Sequence, residues 1–196
     1  PALNASGRES VCPPSYWAAM ARHPIDLARD ELHIDRACAS VLRDSLPNDA
    51  LVHDPACSTG DFVARMRTMC PHLRFSGSDS SQTMIDVARG RHGKGISFDV
   101  ADAACLPPSR YDGLIVRFLN AEVVTRAQAT TLLDRLLRSP RPEGIAILVG
   151  HTALLPPIDG IAAANGCQVR QRTSATPDGL AIFQHYVLRR PRLTQR

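Results

Sequence analysis

Aromatic side chains are scarce in this sequence: they make up 5% of its 196 residues, with Trp17 the single tryptophan. A core built from it rests mainly on Leu, Val, Ile and Ala. The stacking platform with which proteins grip single-stranded nucleic acid is missing too. Its six cysteines (Cys12, Cys38, Cys57, Cys70, Cys105 and Cys167) form no CxxC pair and no Cys/His metal-ligand spacing. Thiols scattered in this way read as reduced and mostly buried, which points to a cytoplasmic protein without a structural metal. No apolar run reaches membrane-spanning length, and no secretory leader is visible.

What is present is ordinary for a globular chain. Hydrophobic residues are 44% and charged residues 21%, enough for a substantial core in one domain. The net charge is +4, and much of the excess sits in Arg189, Arg190, Arg192 and Arg196. A terminal basic run reads as a solvated, frayed end. Neither nucleic acid nor a membrane is therefore an expected partner.

The apolar pattern organises the chain into three parts: an N-terminal lid segment and helix over 1–48, a main domain over 49–190, and a basic tail over 191–196. Pro13, Pro14 and Pro24 break the first stretch, which also carries Tyr16 and Trp17. From Ile25 to Leu46 the apolar positions Leu27, Ile34, Ala37, Val41, Leu42 and Leu46 fall near helical spacing. An alternation of strands and helices follows. Strands are predicted over Ala50–His53, Leu73–Ser78, Ile96–Val100, Tyr111–Phe118 and Gly144–Val149. Helices are predicted over Asp61–Met69, over Ser81–Arg89 with Ser80 as N-cap, and over Thr125–Arg138. In the last of these Ala129, Leu132, Leu133, Leu136 and Leu137 share a face. Pro140–Glu143 reads as a turn. A short helix over Ile158–Asn165 is closed by Gly166. Two final strands, Gln168–Arg172 and Leu180–Leu188, flank a loop. Such alternation predicts an α/β fold, a mostly parallel sheet with helices on both faces and an antiparallel hairpin at its C-terminal edge.

Chemistry concentrates where predicted strands end. Leu51-Val-His-Asp-Pro-Ala-Cys-Ser-Thr-Gly-Asp-Phe62 runs from an apolar strand through Asp54 and the small residues Ala56, Cys57 and Ser58 to Gly60 and a helix. In doubly wound folds ligands bind outside the carboxyl ends of strands. Small residues let the backbone approach a ligand, and a helix N-terminus offers N–H groups to an anion. An ordinary strand-to-helix turn is the plainer alternative. About 20 residues past the glycine lies Asp79, placed to accept both hydroxyls of a ribose. It is followed by Ser80 and by Met84-Ile-Asp-Val-Ala88. A helix cap for Asp79 and core packing for Met84 are the competing readings. The third acid, Asp102, falls between Ala101 and Ala103 after the next strand. A nicotinamide-dependent dehydrogenase is disfavoured by the poor Gly-x-Gly-x-x-Gly match and by this third acid.

These three segments together resemble the cofactor motifs of class I S-adenosylmethionine (SAM) dependent methyltransferases, over about Ala50–Leu188. The resemblance implies a Rossmann-like fold, SAM as cofactor and S-adenosylhomocysteine (SAH) as product. It implies that the small-residue loop from Asp54 to Gly60 holds the methionine end. Asp79, with Ser80 and Met84 beside it, would hold the ribose, and Asp102 and Ala103 the adenine. The match departs from the family at Ala56 and Ser58, where glycines are common.

Tyr111-Asp-Gly-Leu-Ile-Val-Arg117, Pro-Glu-Gly144 and Val-Gly-His-Thr152 are similar, in patches, to chemotaxis receptor (glutamate) methyltransferases. So is Cys57-Ser-Thr-Gly60. Phe118, Thr152 and Ala153 depart from that family, and so does the shortness of the chain. Base-flipping adenine methyltransferases need an Asn/Asp-Pro-Pro-aromatic loop, where this sequence reads Arg117-Phe-Leu-Asn120.

The expected function is methyl transfer to an oxygen (carboxylate or hydroxyl) or nitrogen of a small-molecule or carrier-bound acceptor. A chemotaxis-type protein carboxyl methyltransferase and a non-catalytic SAM-binding regulator are the alternatives. Arg117 is the candidate for orienting an anionic acceptor, against a structural ion pair, and for the cofactor pocket. His151 is the candidate base for a hydroxyl acceptor, against a plain hydrogen-bonded histidine. Asn120 is a candidate for the pocket wall, and Tyr16 and Trp17 for a lid over the substrate.

Overall fold

The computed structural model describes residues 2–3, 8–13, 15–17, 19, 32–150, 154–175 and 183–192. Two short N-terminal strands, β1 (Ala2–Leu3) and β2 (Glu9–Ser10), pair with each other. Helix α1 (Leu32–Ser45) follows, and then the main alternation. It runs β3 (Leu51–Asp54), α2 (Asp61–Met69), β4 (Arg74–Asp79), α3 (Gln82–His92), β5 (Ser97–Val100) and β6 (Tyr111–Val116). It continues through α4 (Arg126–Leu136), β7 (Pro140–Gly150), α5 (Ile158–Ala164), β8 (Gln168–Ala175) and β9 (Phe183–Arg189). The sheet order is β5-β4-β3-β6-β7-β9-β8. Strands β3 to β7 pair in parallel, and β9 pairs antiparallel with both β7 and β8. This is the Rossmann-like sheet with a C-terminal antiparallel hairpin that the alternation predicts. Between β3 and β6 the strand order reverses direction, which opens a crevice beyond their carboxyl ends.

Two apolar layers cover the sheet. On one side Ile34, Cys38 and Leu42 of α1 and Phe62, Val63 and Met66 of α2 belong to the same cluster as Val52 and Phe75. On the other, Ala129, Leu133 and Leu136 of α4 and Ile158 and Ile161 of α5 join Leu114, Val116 and Leu148. Helix α1 also hides a charge that the apolar pattern does not reveal. Asp35 is 1% exposed and is gripped by Arg65 of α2, with Nε–Oδ2 at 2.5 Å and Nη2–Oδ1 at 3.2 Å. A second internal polar cluster centres on His53 of β3. It lies 2.9 Å from Ser76 and 3.1 Å from Ser78 and stacks on Tyr111 with ring centroids 4.4 Å apart. Burial drives its pKa down to about 4, so the imidazole is neutral.

Several boundaries differ from expectation for identifiable reasons. Ser81, not Ser80, caps α3: its hydroxyl accepts from Met84 N–H, and Ser80 is exposed. Residues Pro140–Glu143 are not a free turn. Pro140 pairs with Tyr111, and the register shifts before Gly113 meets Ile145, so β7 begins early around an irregularity. Helix α4 ends at Leu136, with Leu132 only half-buried and Thr125 forming a capping box with Gln128. Strand β6 ends at Val116 rather than Phe118. The predicted helix start at Ile25, the strand start at Leu180 and the tail from 193 lie outside the described residues.

Candidate cofactor and acceptor site

The carboxyl ends of β3, β4 and β5 carry Asp54, Asp79 and, just past β5, Asp102. After Asp54 the chain turns tightly. Ser58 takes φ 52° and Gly60 φ 78°, the left-handed region that explains why glycine is common at such positions. A Cβ at Gly60 would also stand 2.8 Å from the Phe98 ring. Gly77 of β4 makes room in the same way, because a Cβ there would lie 2.7 Å from Cys57 Cβ. Cys57 is thereby seated in the core, and burial pushes its thiol pKa up. Helix α2 then begins with no side chain capping its N-terminus, which leaves backbone donors facing the loop.

Asp79 ties this loop to the next strand. Its Oδ2 accepts from Ser58 N–H at 3.0 Å and its Oδ1 from Ser81 N–H at 2.9 Å. Each oxygen retains a lone pair for an incoming hydroxyl. Burial raises its pKa, while the two backbone N–H groups pull it back down. Met84 is buried beneath the loop and its Sδ accepts from Ser58 Oγ. Asp102 is exposed and accepts from Ala104 N–H at 2.8 Å, capping a 3-10 turn that contains Ala103.

Asp54 is 2% exposed. Its Oδ1 accepts from Ala56 N–H at 3.1 Å, and Arg117 Nε stands 3.6 Å from Oδ2. Burial raises the Asp54 pKa, against the Arg117 charge and the Ala56 N–H. The Arg117 guanidinium also lies over the Phe62 ring, 3.9 Å from its centroid. Such a contact contributes up to about 2 kcal/mol where water is excluded. Arg117 is thus engaged by an internal acid and an aromatic face, the structural ion pair weighed above.

Beyond β6 the loop 117–125 crosses the carboxyl edge. Asn120 is 7% exposed, and its Oδ1 is buried without a hydrogen-bond partner. Leaving such an atom unpaired costs about 1–3 kcal/mol. The N-terminal segment docks on this loop: Cys12 N–H donates to Glu122 O at 2.9 Å, and Glu9 accepts from Arg126 N–H at 2.7 Å. That strap leads to Tyr16 and Trp17, whose rings meet edge to face with centroids 5.0 Å apart. Tyr16 is 45% exposed. His151, Thr152 and Ala153 lie outside the described residues.

The structure thus brings together Asp54, Ala56, Cys57, Ser58, Gly60, Asp79, Met84 and Arg117. Asp102 and Ala103 stand in a neighbouring turn, and Asn120 on the β6 side, where Cys12, four residues before Tyr16, meets Glu122. Sequence reasoning passed over Phe62, Gly77 and Phe98. Their signal was present: an aromatic directly after the Gly-Asp pair, and a glycine two residues before Asp79. A concavity of about 1200 Å³ lies elsewhere, lined by Arg67, Arg89, Arg91, Lys94 and neighbouring residues. It borders the amino-terminal end of β5, opposite the crevice. Among the described residues there is no cluster of metal-binding side chains and no helix long and apolar enough to cross a membrane.

Residues 52–144 match the family model described as a methyltransferase domain. Residues 52–144 thus resemble a methyltransferase domain, carried on a Rossmann-like fold with its motifs in the order of the class I SAM-dependent methyltransferases. The cofactor of this class is SAM, and the residues fit it: an acid anchored at the end of β4, a glycine turn and an open helix N-terminus. Among relatives, isonocardicin synthase of Nocardia uniformis is 35% identical over 76% of this chain and 52% of its own length. Trans-aconitate 2-methyltransferase of Methylobacterium radiotolerans is 32% identical over 63% of this chain and 46% of its own. The chain therefore spans about half the length of these relatives. The structure of magnesium protoporphyrin IX methyltransferase from Synechocystis with bound SAH superposes with a TM-score of 0.65. It has 16% identity and covers 94% of this chain and 90% of that one.

Proposed function

We propose that this protein transfers the methyl group of SAM to an oxygen or nitrogen of a small-molecule or carrier-bound acceptor. The observation that carries the proposal is Asp79, fixed by Ser58 and Ser81 N–H at the carboxyl end of β4 and beside the Gly60 turn. Bound SAM supplies a methyl group on a sulfonium, which is already activated for displacement. The protein's contribution is placement and exclusion of water. Asp79 accepts from the ribose hydroxyls, with Ser80 and Met84 framing that end. The α2 N-terminus receives the methionine carboxylate beside Ala56, Cys57 and Ser58. Asp102 and Ala103 border the adenine. Arg117 offsets the charge of Asp54 and so keeps the floor under the methionine end electrostatically neutral. Tyr16 and Trp17, on the strap docked by Glu9 and Cys12, cover the acceptor. His151 is the base when the acceptor is a hydroxyl, whereas a carboxylate needs none. The new bond forms between the acceptor atom and the methyl carbon, and the carbon–sulfur bond breaks toward sulfur, leaving SAH. Any proton on the acceptor leaves to His151 or solvent.

Incubation of the protein with SAM and an acceptor library, with chromatographic detection of the nucleoside product, tests this. SAH formation that depends on acceptor supports it. Formation of 5′-methylthioadenosine contradicts it, because the sulfonium would then have lost its amino-acid chain instead of its methyl group.

A further inference from the structure

We infer that the acceptor presents a hydrogen-bond donor, a hydroxyl or an amino group, and that Asn120 is the residue that receives it. This rests on the methyl-transfer reading and names the substrate class for that site. The starting observation is an anomaly. Asn120 is 7% exposed, and its Oδ1 is buried with no partner, while its backbone carbonyl already serves Val123 and Val124 N–H. A folded chain rarely buries an amide oxygen and leaves it unpaired unless something outside the chain completes it.

Its place in the fold says what that something is near. Asn120 follows Arg117 by three residues on the loop beyond β6, and Arg117 pairs with Asp54 at the end of β3. The β3–β6 crevice is where the strand order reverses. The strap that carries Tyr16 and Trp17 is fastened to the same loop at Glu122 and to the start of α4 at Arg126. Around this loop the buried side chains are apolar: Phe118, Leu119, Val124 and Leu155. Asn120 is the buried polar side chain among them.

Chemistry then separates the acceptor classes. A carboxylate brings only hydrogen-bond acceptor oxygens toward Oδ1, and it lacks the cation it would want, since Arg117 is held by Asp54 and the Phe62 ring. A carbon acceptor presents a reacting atom that itself donates no hydrogen bond to Oδ1. A hydroxyl or a neutral amine donates its proton to Oδ1, and its lone pair is thereby turned away from Asn120 and toward the methyl carbon. Asn120 orients and discriminates but takes no proton. A site built to bond such a group rejects analogues that lack it.

The test uses Asn120→Leu, a change of similar size that removes the buried polar atom. Three readouts are taken on wild type and variant: thermal unfolding, SAH binding by calorimetry, and saturation-transfer NMR of benzylamine, benzyl alcohol and benzoate with SAH present. The expected results are a Tm raised by about 2–4 °C, SAH affinity unchanged within twofold, and amine or alcohol signals seen with wild type and lost with the variant. A lowered Tm would assign Asn120 a purely structural role and overturn the inference. So would preferential binding of benzoate, or the absence of any difference between wild type and variant across the three probes. Absence of SAH binding to wild type is a separate outcome, and it sinks the methyl-transfer reading itself.

Discussion

The two halves of the sheet differ in how they treat polar groups. On the β3–β4–β5 side each acid at a strand end has a backbone partner: Asp54 with Ala56 N–H, Asp79 with Ser58 and Ser81 N–H, Asp102 with Ala104 N–H. On the β6 side Asn120 is buried and unsatisfied, and the loop carrying it is fastened by contacts to a distant segment of chain. The first half anchors its acids within the chain, although Asp54 Oδ2 has only the Arg117 charge at 3.6 Å and no hydrogen bond; the second, under the proposal above, is completed by what it binds. A cofactor common to a whole class of enzymes suits a preformed pocket, whereas an acceptor peculiar to one protein suits a variable edge built from loops.

The contrast can be broken most forcefully at its foundation. Arg65→Ala strands the buried Asp35 charge that joins α1 to α2 under the cofactor side. Unfolding by denaturant is expected to show a loss of about 3–5 kcal/mol. A loss below 1 kcal/mol would mean that water reaches Asp35 and that this side is less rigid than the geometry indicates.

Next in size is a pH effect at His53. Its pKa lies near 4 in the folded protein against 6.5 for the free side chain. Below pH 6.5 the unfolded chain therefore binds the proton first, and stability falls as pH drops from 6.5 toward 4, by at most roughly 3 kcal/mol. Asp54 and Asp79 act in the opposite direction, since their pKa values are raised in the folded state and their protonation favours it. The difference between wild type and His53→Gln across that pH window isolates the histidine. Parallel stability curves would refute the buried neutral state.

Gly77→Ala probes the floor of the loop. The new methyl collides with Cys57, and moving it costs about 1–3 kcal/mol. SAH binding is expected to weaken because Cys57 sits inside the small-residue turn, while Asn120-dependent probe binding keeps its wild-type pattern once SAH is saturating. The smallest expected effect is on the acceptor side. Thr125→Ala removes the cap of α4 and costs about 1 kcal/mol, with SAH affinity unchanged. A variant that lost SAH binding as well would erase the distinction between the halves.

The cofactor half was largely legible in the sequence. Helix α2 falls at Asp61–Met69 as predicted, and the three acids fall at or just past strand ends. Periodicity and small-residue spacing are local signals, and this half is built from local units. Less legible were features set by neighbours remote in sequence. Asp35 sat among apolar helix positions with nothing local to announce Arg65 as its partner. The pairing of Arg117 with Asp54 and Phe62 joins residues 55 or more positions apart. The orphaned oxygen of Asn120 depends on everything that fails to reach it. Ser80 and Ser81 were interchangeable by composition, and only the hydroxyl geometry chose Ser81. Pro140–Glu143 reads locally as a turn, but sheet pairing of Pro140 with Tyr111 claims the segment for β7.

The most direct test of the central claim is calorimetric titration of the protein with SAH, repeated on Asp79→Ala. Micromolar binding that weakens tenfold or more in the variant, a loss of about 1.4 kcal/mol, is the predicted result. Binding of equal strength in both proteins, or none in either, would contradict it.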